Sequence, residues 1–134
     1  MAKVLGVGGI FFKSNNHESL AKWYQEHLGI DIDTSYNGTM FFPANMPEKS
    51  ATVWSVFSAD TEYLKPSDQT FMFNFVVDDI HEALAQVVAG GGKQVDKVTV
   101  ESYGAFGWFL DPEGHKVELW QPDLVSAPED SPTE

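Results

Sequence analysis

Residues 106–120 read FGWFLDPEGHKVELW, and Asp111-Pro112-Glu113-Gly114 divides them. Proline presets φ for the second position of a type I turn, and glycine accepts the left-handed conformation that closes a three-residue hairpin loop. The flanking segments therefore read as a β-hairpin. With Asp111 facing His115, Trp108 falls opposite Glu118 and Phe106 falls opposite Trp120. Alternation puts Lys116, Glu118 and Trp120 on one face, with Val117 and Leu119 on the other. Among Phe106, Trp108 and Trp120 a carboxylate is partly desolvated, and desolvation disfavours its charged form. The functional question is whether that face meets water, a ligand or a metal.

The chain has 134 residues, which suits one compact domain able to bury a core. An apolar fraction of 43% and an aromatic fraction of 13% point to a folded globular protein. There are no cysteines, so disulfides and thiolate metal sites are excluded, and a reducing compartment fits. The formal net charge of −12 argues against nucleic acid and anionic membrane surfaces as partners, because both need basic patches. No apolar run reaches membrane-spanning length, and MAKVLGVGGIFF lacks a signal-peptide pattern. A cytoplasmic location is expected. Residues 1–122 read as the domain. Residues 123–134, with Asp123, Glu129, Asp130, Glu134, Pro128 and Pro132, read as an acidic, flexible tail.

A weak internal repeat organises the domain. His17-Glu18-Ser19-Leu20-Ala21 recurs as His81-Glu82-Ala83-Leu84-Ala85. Each copy follows a strand-like run, Val7 to Lys13 and Phe71 to Val77, and each opens a helix. Asn16 and Asp79 are the expected N-caps, with Gly29 and Gly90-Gly91-Gly92 at the far ends. Leu20, Trp23, Tyr24 and Leu28 form one apolar stripe at helical spacing. Further strands are expected at Ile30 to Ser35, Thr39 to Pro43 and Thr52 to Phe57, with a turn at Tyr36-Asn37-Gly38. Their counterparts are Gln94 to Val100, Phe106 to Leu110 and His115 to Gln121. Each half thus reads β-α-β-β-β: module one at about residues 4–58, a linker at 59–69, and module two at about 70–121.

One helix per half covers one sheet face. Phe71, Phe73 and Phe75, with Ile10 and Phe12, are expected under the helices. Gly9, Phe11, Met72 and Asn74 point the other way, alongside Glu118. That second face is too apolar for open water and too mixed for a plain core, so a curved sheet enclosing a cleft is expected.

These residues resemble a known family. Paired βαβββ modules, Trp23-Tyr24 followed by Leu28-Gly29, and the closing DPEGHKVEL are similar to the vicinal oxygen chelate superfamily. Its members include glyoxalase I, extradiol dioxygenases, fosfomycin-resistance enzymes and bleomycin-binding proteins. The resemblance spans about Val4 to Pro122. It implies an α+β fold of two βαβββ modules forming curved mixed sheets around a cleft, with helices on the outer face. It also implies a homodimer. In the metalloenzymes, ligands come from the first and last strand of each module. Glu118 matches the family's carboxylate ligand, and it alone matches. The other three positions fall on Gly9, Met72 and Trp54, and a slip of one residue brings no better ligand.

A transition metal needs about three protein ligands of the His, Asp, Glu or Cys type, so the ligand positions do not support a divalent metal. His17 and His81 open helices, His27 lies late on a helix, and His115 flanks the hairpin turn. Each reads as a surface or capping histidine. The expectation is a cleft without a metal or other cofactor. Aromatic walls of Phe11, Trp54, Phe106, Trp108 and Trp120 suit a small aromatic or cationic organic molecule, with Glu118 as the polar handle. Met72, Asn74 and Tyr103 complete the expected ligand-binding set.

Three alternatives remain open at this point. The rings simply close a core, or the cleft is vestigial in an interaction protein. In the third, the chain is a lyase, isomerase or dioxygenase-type enzyme, with Glu118 as catalytic base or metal ligand. Asn74 and Tyr103 would then donate hydrogen bonds to a developing oxyanion.

Overall fold

The computed structural model describes residues 1–126. The hairpin forms as its residues dictate. Gly114 takes φ 86°, and one carboxylate oxygen of Asp111 accepts the backbone N–H groups of Glu113 and His115 at 2.9 and 3.0 Å. This is the local bonding by which an aspartate organises a turn. The arms are β3, Gly104–Leu110, and β4, Lys116–Gln121. Their register pairs Phe106 with Trp120, Trp108 with Glu118 and Leu110 with Lys116.

Two more strands complete a mixed sheet in the order β1-β4-β3-β2. Strand β1, Phe73–Val76, runs parallel to β4. Strand β2, Lys93–Glu101, runs antiparallel to β3 and carries a register shift between Val95 and Thr99. Between β1 and β2 lies the crossover helix α2, Ile80–Ala89. The Asp79 carboxylate caps it by accepting the Glu82 N–H at 3.1 Å, which satisfies one of the free amides of the first turn.

The second helix on this sheet is α1, His17–Leu28. It ends at Gly29 in the left-handed conformation, φ 69°. The expected cap at its start differs: Asn16 makes no side-chain capping bond, and its backbone carbonyl accepts from Leu20 instead. Leu20, Trp23 and Tyr24 are buried from α1, and Ile80, Ala83, Leu84 and Val87 from α2. They pack on Phe73, Ala105, Phe109, Val117 and Leu119, which share one sheet face. Gly107 belongs to that face because α2 comes close, so that a Cβ there would meet the Leu84 side chain at 2.8 Å.

The first half does not build a second sheet among the described residues. Val7 to Lys13, Thr39 to Pro43 and Thr52 to Phe57 carry no strand, and Ile30 to Ser35 contributes only an isolated bridge, Asp33 with Gly38. The expected turn at Tyr36-Asn37-Gly38 does form, with Asn37 at φ 60°. Period-two alternation states which side of a segment is apolar, but a ladder also requires a neighbouring backbone. The second half completes its own sheet, and Val4, Leu5, Ile10, Phe11, Val53, Trp54 and Val56 stay exposed. One open, four-stranded sheet therefore stands where curved sheets around a cleft were expected. Phe12 does reach the helix-side face, its ring 4.7 Å from that of Phe73.

Of the expected tail, Leu124 packs against the core and Ser126 N–H donates to the Glu101 carbonyl at 2.9 Å. Residues 127–134 lie outside the described residues. No helix among the described residues is long and apolar enough to cross a membrane.

Candidate functional site

Glu118 lies at the middle of β4, on the face away from both helices, and is 9% exposed. The register explains its surroundings, because Asn74 of β1 and Trp108 of β3 stand directly across from it on either side. The three make one row across the sheet. Asn74 donates its amide to one carboxylate oxygen at 2.8 Å, and the Trp108 indole N–H donates to the other at 2.9 Å. Tyr63 supplies a third donor, its hydroxyl bonding the same oxygen as the indole. It arrives from the loop 58–69, which turns through Thr61 N–H to the Ser58 carbonyl and Lys65 N–H to the Glu62 carbonyl.

Lys116 lies two residues before Glu118 and is 6% exposed. Its ammonium donates to the Tyr63 carbonyl at 2.5 Å and stands 5.1 Å from the Tyr63 ring and 5.9 Å from the Trp108 ring. Desolvation lowers the Lys116 pKa, opposed by the negative charges of Asp96 and Glu118. Burial, then the hydrogen bond to Glu118, raises that of the Tyr63 phenol. Beside this cluster is a cavity of about 500 Å³ lined by Thr61, Tyr63, Asp96, Trp108 and Lys116 among others.

The remaining expected site residues divide. Phe106 and Trp120 stack at 6.0 Å with an interplanar angle of 6°, and Tyr103 meets Phe106 at 5.6 Å. The Trp120 indole donates to the Tyr103 carbonyl at 3.0 Å, so these three rings form a platform further along the same face. Met72 is half-buried just ahead of β1. Phe11 and Trp54 are not brought to Glu118, being 93% and 78% exposed. Both lie on first-half segments that join no sheet.

Two residues of the cluster went unread in the sequence. Lys116 shares a face with Glu118 by simple alternation, so its place was legible and its role was not. Tyr63 lies in the linker, where no periodicity marks a side chain for burial.

His115 also departs from expectation. It is 4% exposed rather than on the surface. Its Nδ1 meets both Asp111 carboxylate oxygens, at 3.0 and 2.9 Å, and the Tyr24 hydroxyl donates to Asp111 at 2.8 Å. The rings of Phe12, Phe71 and Phe73 surround it. This network ties α1 to the hairpin tip on the helix side of the sheet. His17 and His81 are exposed and His27 is partly so.

The chemistry of the donors bears on a metal. An amide N–H, an indole N–H and a phenol O–H present protons to Glu118, whereas a cation needs lone pairs. Among the described residues no group of three or more His, Cys, Asp or Glu is placed to hold a metal ion.

A profile of the glyoxalase-like domain matches residues 9–120. The chain belongs to the glyoxalase-like family. Glutathione transferase FosA of Serratia marcescens is 30% identical over 110 residues, which cover 79% of this chain and 72% of that protein. Both findings set this glyoxalase-like chain within the vicinal oxygen chelate superfamily. No solved structure matches it at a significant level.

Proposed function

We propose that this glyoxalase-like protein binds a small aromatic or cationic organic molecule against the Glu118 face, without a metal. The carrying observation is a buried carboxylate that receives three hydrogen-bond donors between aromatic rings. Such a group pairs with a cation or accepts a ligand's donor, and the rings supply apolar area. Thermal-shift screening against aromatic, cationic and antibiotic-like compounds tests the reading. Ligands that raise Tm without being turned over are expected, and a series with no shift overturns it. Elemental analysis after purification without added metal tests the second part. Near-stoichiometric Zn, Mn, Ni or Fe that resists chelation would sink it.

A second reading is an enzyme of the same superfamily, a lyase, isomerase or dioxygenase type, using Glu118 as general base or metal ligand. The FosA relative, named a glutathione transferase, favours it. Product formation from glutathione and an electrophile, lost in Glu118→Gln, would establish an enzyme over a binding protein, of the transferase type that the relative's name gives.

The protein further works as a homodimer in the cytoplasm. Support for the dimer comes from the exposed apolar side chains at Val4, Leu5, Ile10, Phe11, Val53 and Trp54. Pairing with a second copy gives these segments the neighbours that strands require and completes two βαβββ modules around a cleft.

A further inference from the structure

Of the three donors on Glu118, two are fixed by the sheet and one is not. Asn74 and Trp108 lie on β1 and β3, held in register with β4 on both sides. Tyr63 lies on a loop with no strand or helix. The residue is 42% exposed. Its ties to the sheet are the hydroxyl on Glu118 and the carbonyl that receives Lys116. An ionised carboxylate offers about four lone-pair positions. Tyr63 and Trp108 both use one oxygen, while Asn74 uses the other.

The seat of that phenol has the features of a ligand subsite. The Tyr63 ring meets Trp108 edge-on, with centroids 6.3 Å apart and planes at 87°. The Lys116 ammonium lies against its face at 5.1 Å, and the hydroxyl reaches a carboxylate. A ligand that takes the same oxygen of Glu118 must first take this place. We propose that Tyr63 is an internal occupant of the site: the loop 58–69 seats its phenol where an aromatic molecule carrying a hydrogen-bond donor binds, and such a molecule enters by displacing it. This rests on the reading of Glu118 as a binding handle and narrows the ligand class. A purely apolar ring leaves Glu118 short of a donor, and an anion meets its charge.

Competition and a fixed wall predict opposite signs. Calorimetric titration of the full chain with p-cresol, for wild type, Tyr63→Phe and Tyr63→Ala, separates them. Tyr63→Phe keeps the ring and removes the bond that holds it, so p-cresol binds about tenfold more tightly than to wild type, the equivalent of one hydrogen bond to a charged group. Tyr63→Ala vacates the seat and binds at least as tightly as Tyr63→Phe. Toluene, which has no donor, binds Tyr63→Ala about tenfold more weakly than p-cresol does. Circular dichroism checks that both variants are folded, and Tyr63→Phe carries the test if Tyr63→Ala is not.

Wild type that binds p-cresol as tightly as both variants, or more tightly, overturns displacement and leaves the Glu118 binding face standing. Equal affinity of toluene and p-cresol for Tyr63→Ala overturns the ligand class. Absence of p-cresol binding in all three forms overturns the proposal, and the binding function is then decided by the thermal-shift series.

Discussion

At the scale of the residue, burying Glu118 is tolerable because three neutral donors surround its charge. Removing one donor leaves a charged acceptor partly unserved, which costs more than the loss of an average surface bond. Trp108→Phe keeps most of the apolar area and deletes the indole N–H. We expect about 1.5–3 kcal/mol of destabilisation in urea unfolding, whereas Val88→Ala, at an exposed position on α2, changes stability by less than about 0.5 kcal/mol. Gly104 is a second sensitive position. Its φ of 136° is open to glycine, and a Cβ would fall 2.2 Å from the Trp120 indole nitrogen. Gly104→Ala therefore combines backbone strain with a clash against an indole pinned by its own hydrogen bond, and should cost about 2 kcal/mol or more. A smaller loss in the same unfolding assay would mean that β3 begins differently.

At the scale of the element, the hairpin was legible almost residue by residue. Asp111, Pro112 and Gly114 specify a turn, and a turn fixes register, so the placement of Trp108 and Phe106 followed. Both helices were legible too, the first from its apolar stripe and the second from the repeated HEALA motif, the Asp79 cap and the glycines at its end. The first-half strands were not, because alternation is a property of a segment and pairing is a property of two. Tyr63 was hidden for a related reason: a loop side chain is placed by what it meets, and nothing local announces Glu118. The buried Tyr24–Asp111–His115 network likewise joins elements that are distant in the chain. It makes a prediction about alkaline pH. Burial, then the charge of Asp111, holds the Tyr24 phenol above its ordinary 10.0. Above about pH 10 the unfolded chain therefore releases a proton that the native state keeps, and stability falls as pH rises. Tyr63 contributes in the same direction. The urea midpoint should begin to drop near pH 10 and keep falling above it. Tyr24→Phe should flatten that slope while costing about 2 kcal/mol at neutral pH through the lost bond to Asp111. An unchanged slope would remove Tyr24 from the explanation.

At the scale of the whole molecule, the α+β class and the helix-covered sheet followed from the order of elements in the second half. The number of sheets did not, since the first half lacks partners among the described residues. The proposed homodimer addresses that imbalance. Light scattering behind size exclusion should give twice the mass of one chain. Phe11→Asp combined with Trp54→Asp should shift the population toward the monomer, because each places charge on an apolar contact. A wild-type monomer at all concentrations would exclude the dimer and leave the exposed side chains without an occupant. Salt should favour association, because a net charge of −12 per chain repels a second copy and is screened above about 0.1 M.

The docking of α1 has a consequence for folding order. Trp23 donates to the Gly90 carbonyl across 67 positions of sequence, and Tyr24 reaches Asp111 across 87. Neither partner exists when α1 leaves the ribosome. The helix must wait, marginally stable by itself at 12 residues, until the hairpin nearly 90 residues behind it has been made. Contacts of that separation are slow to close. Residues made long after α1 thus set the moment at which that helix becomes part of the protein.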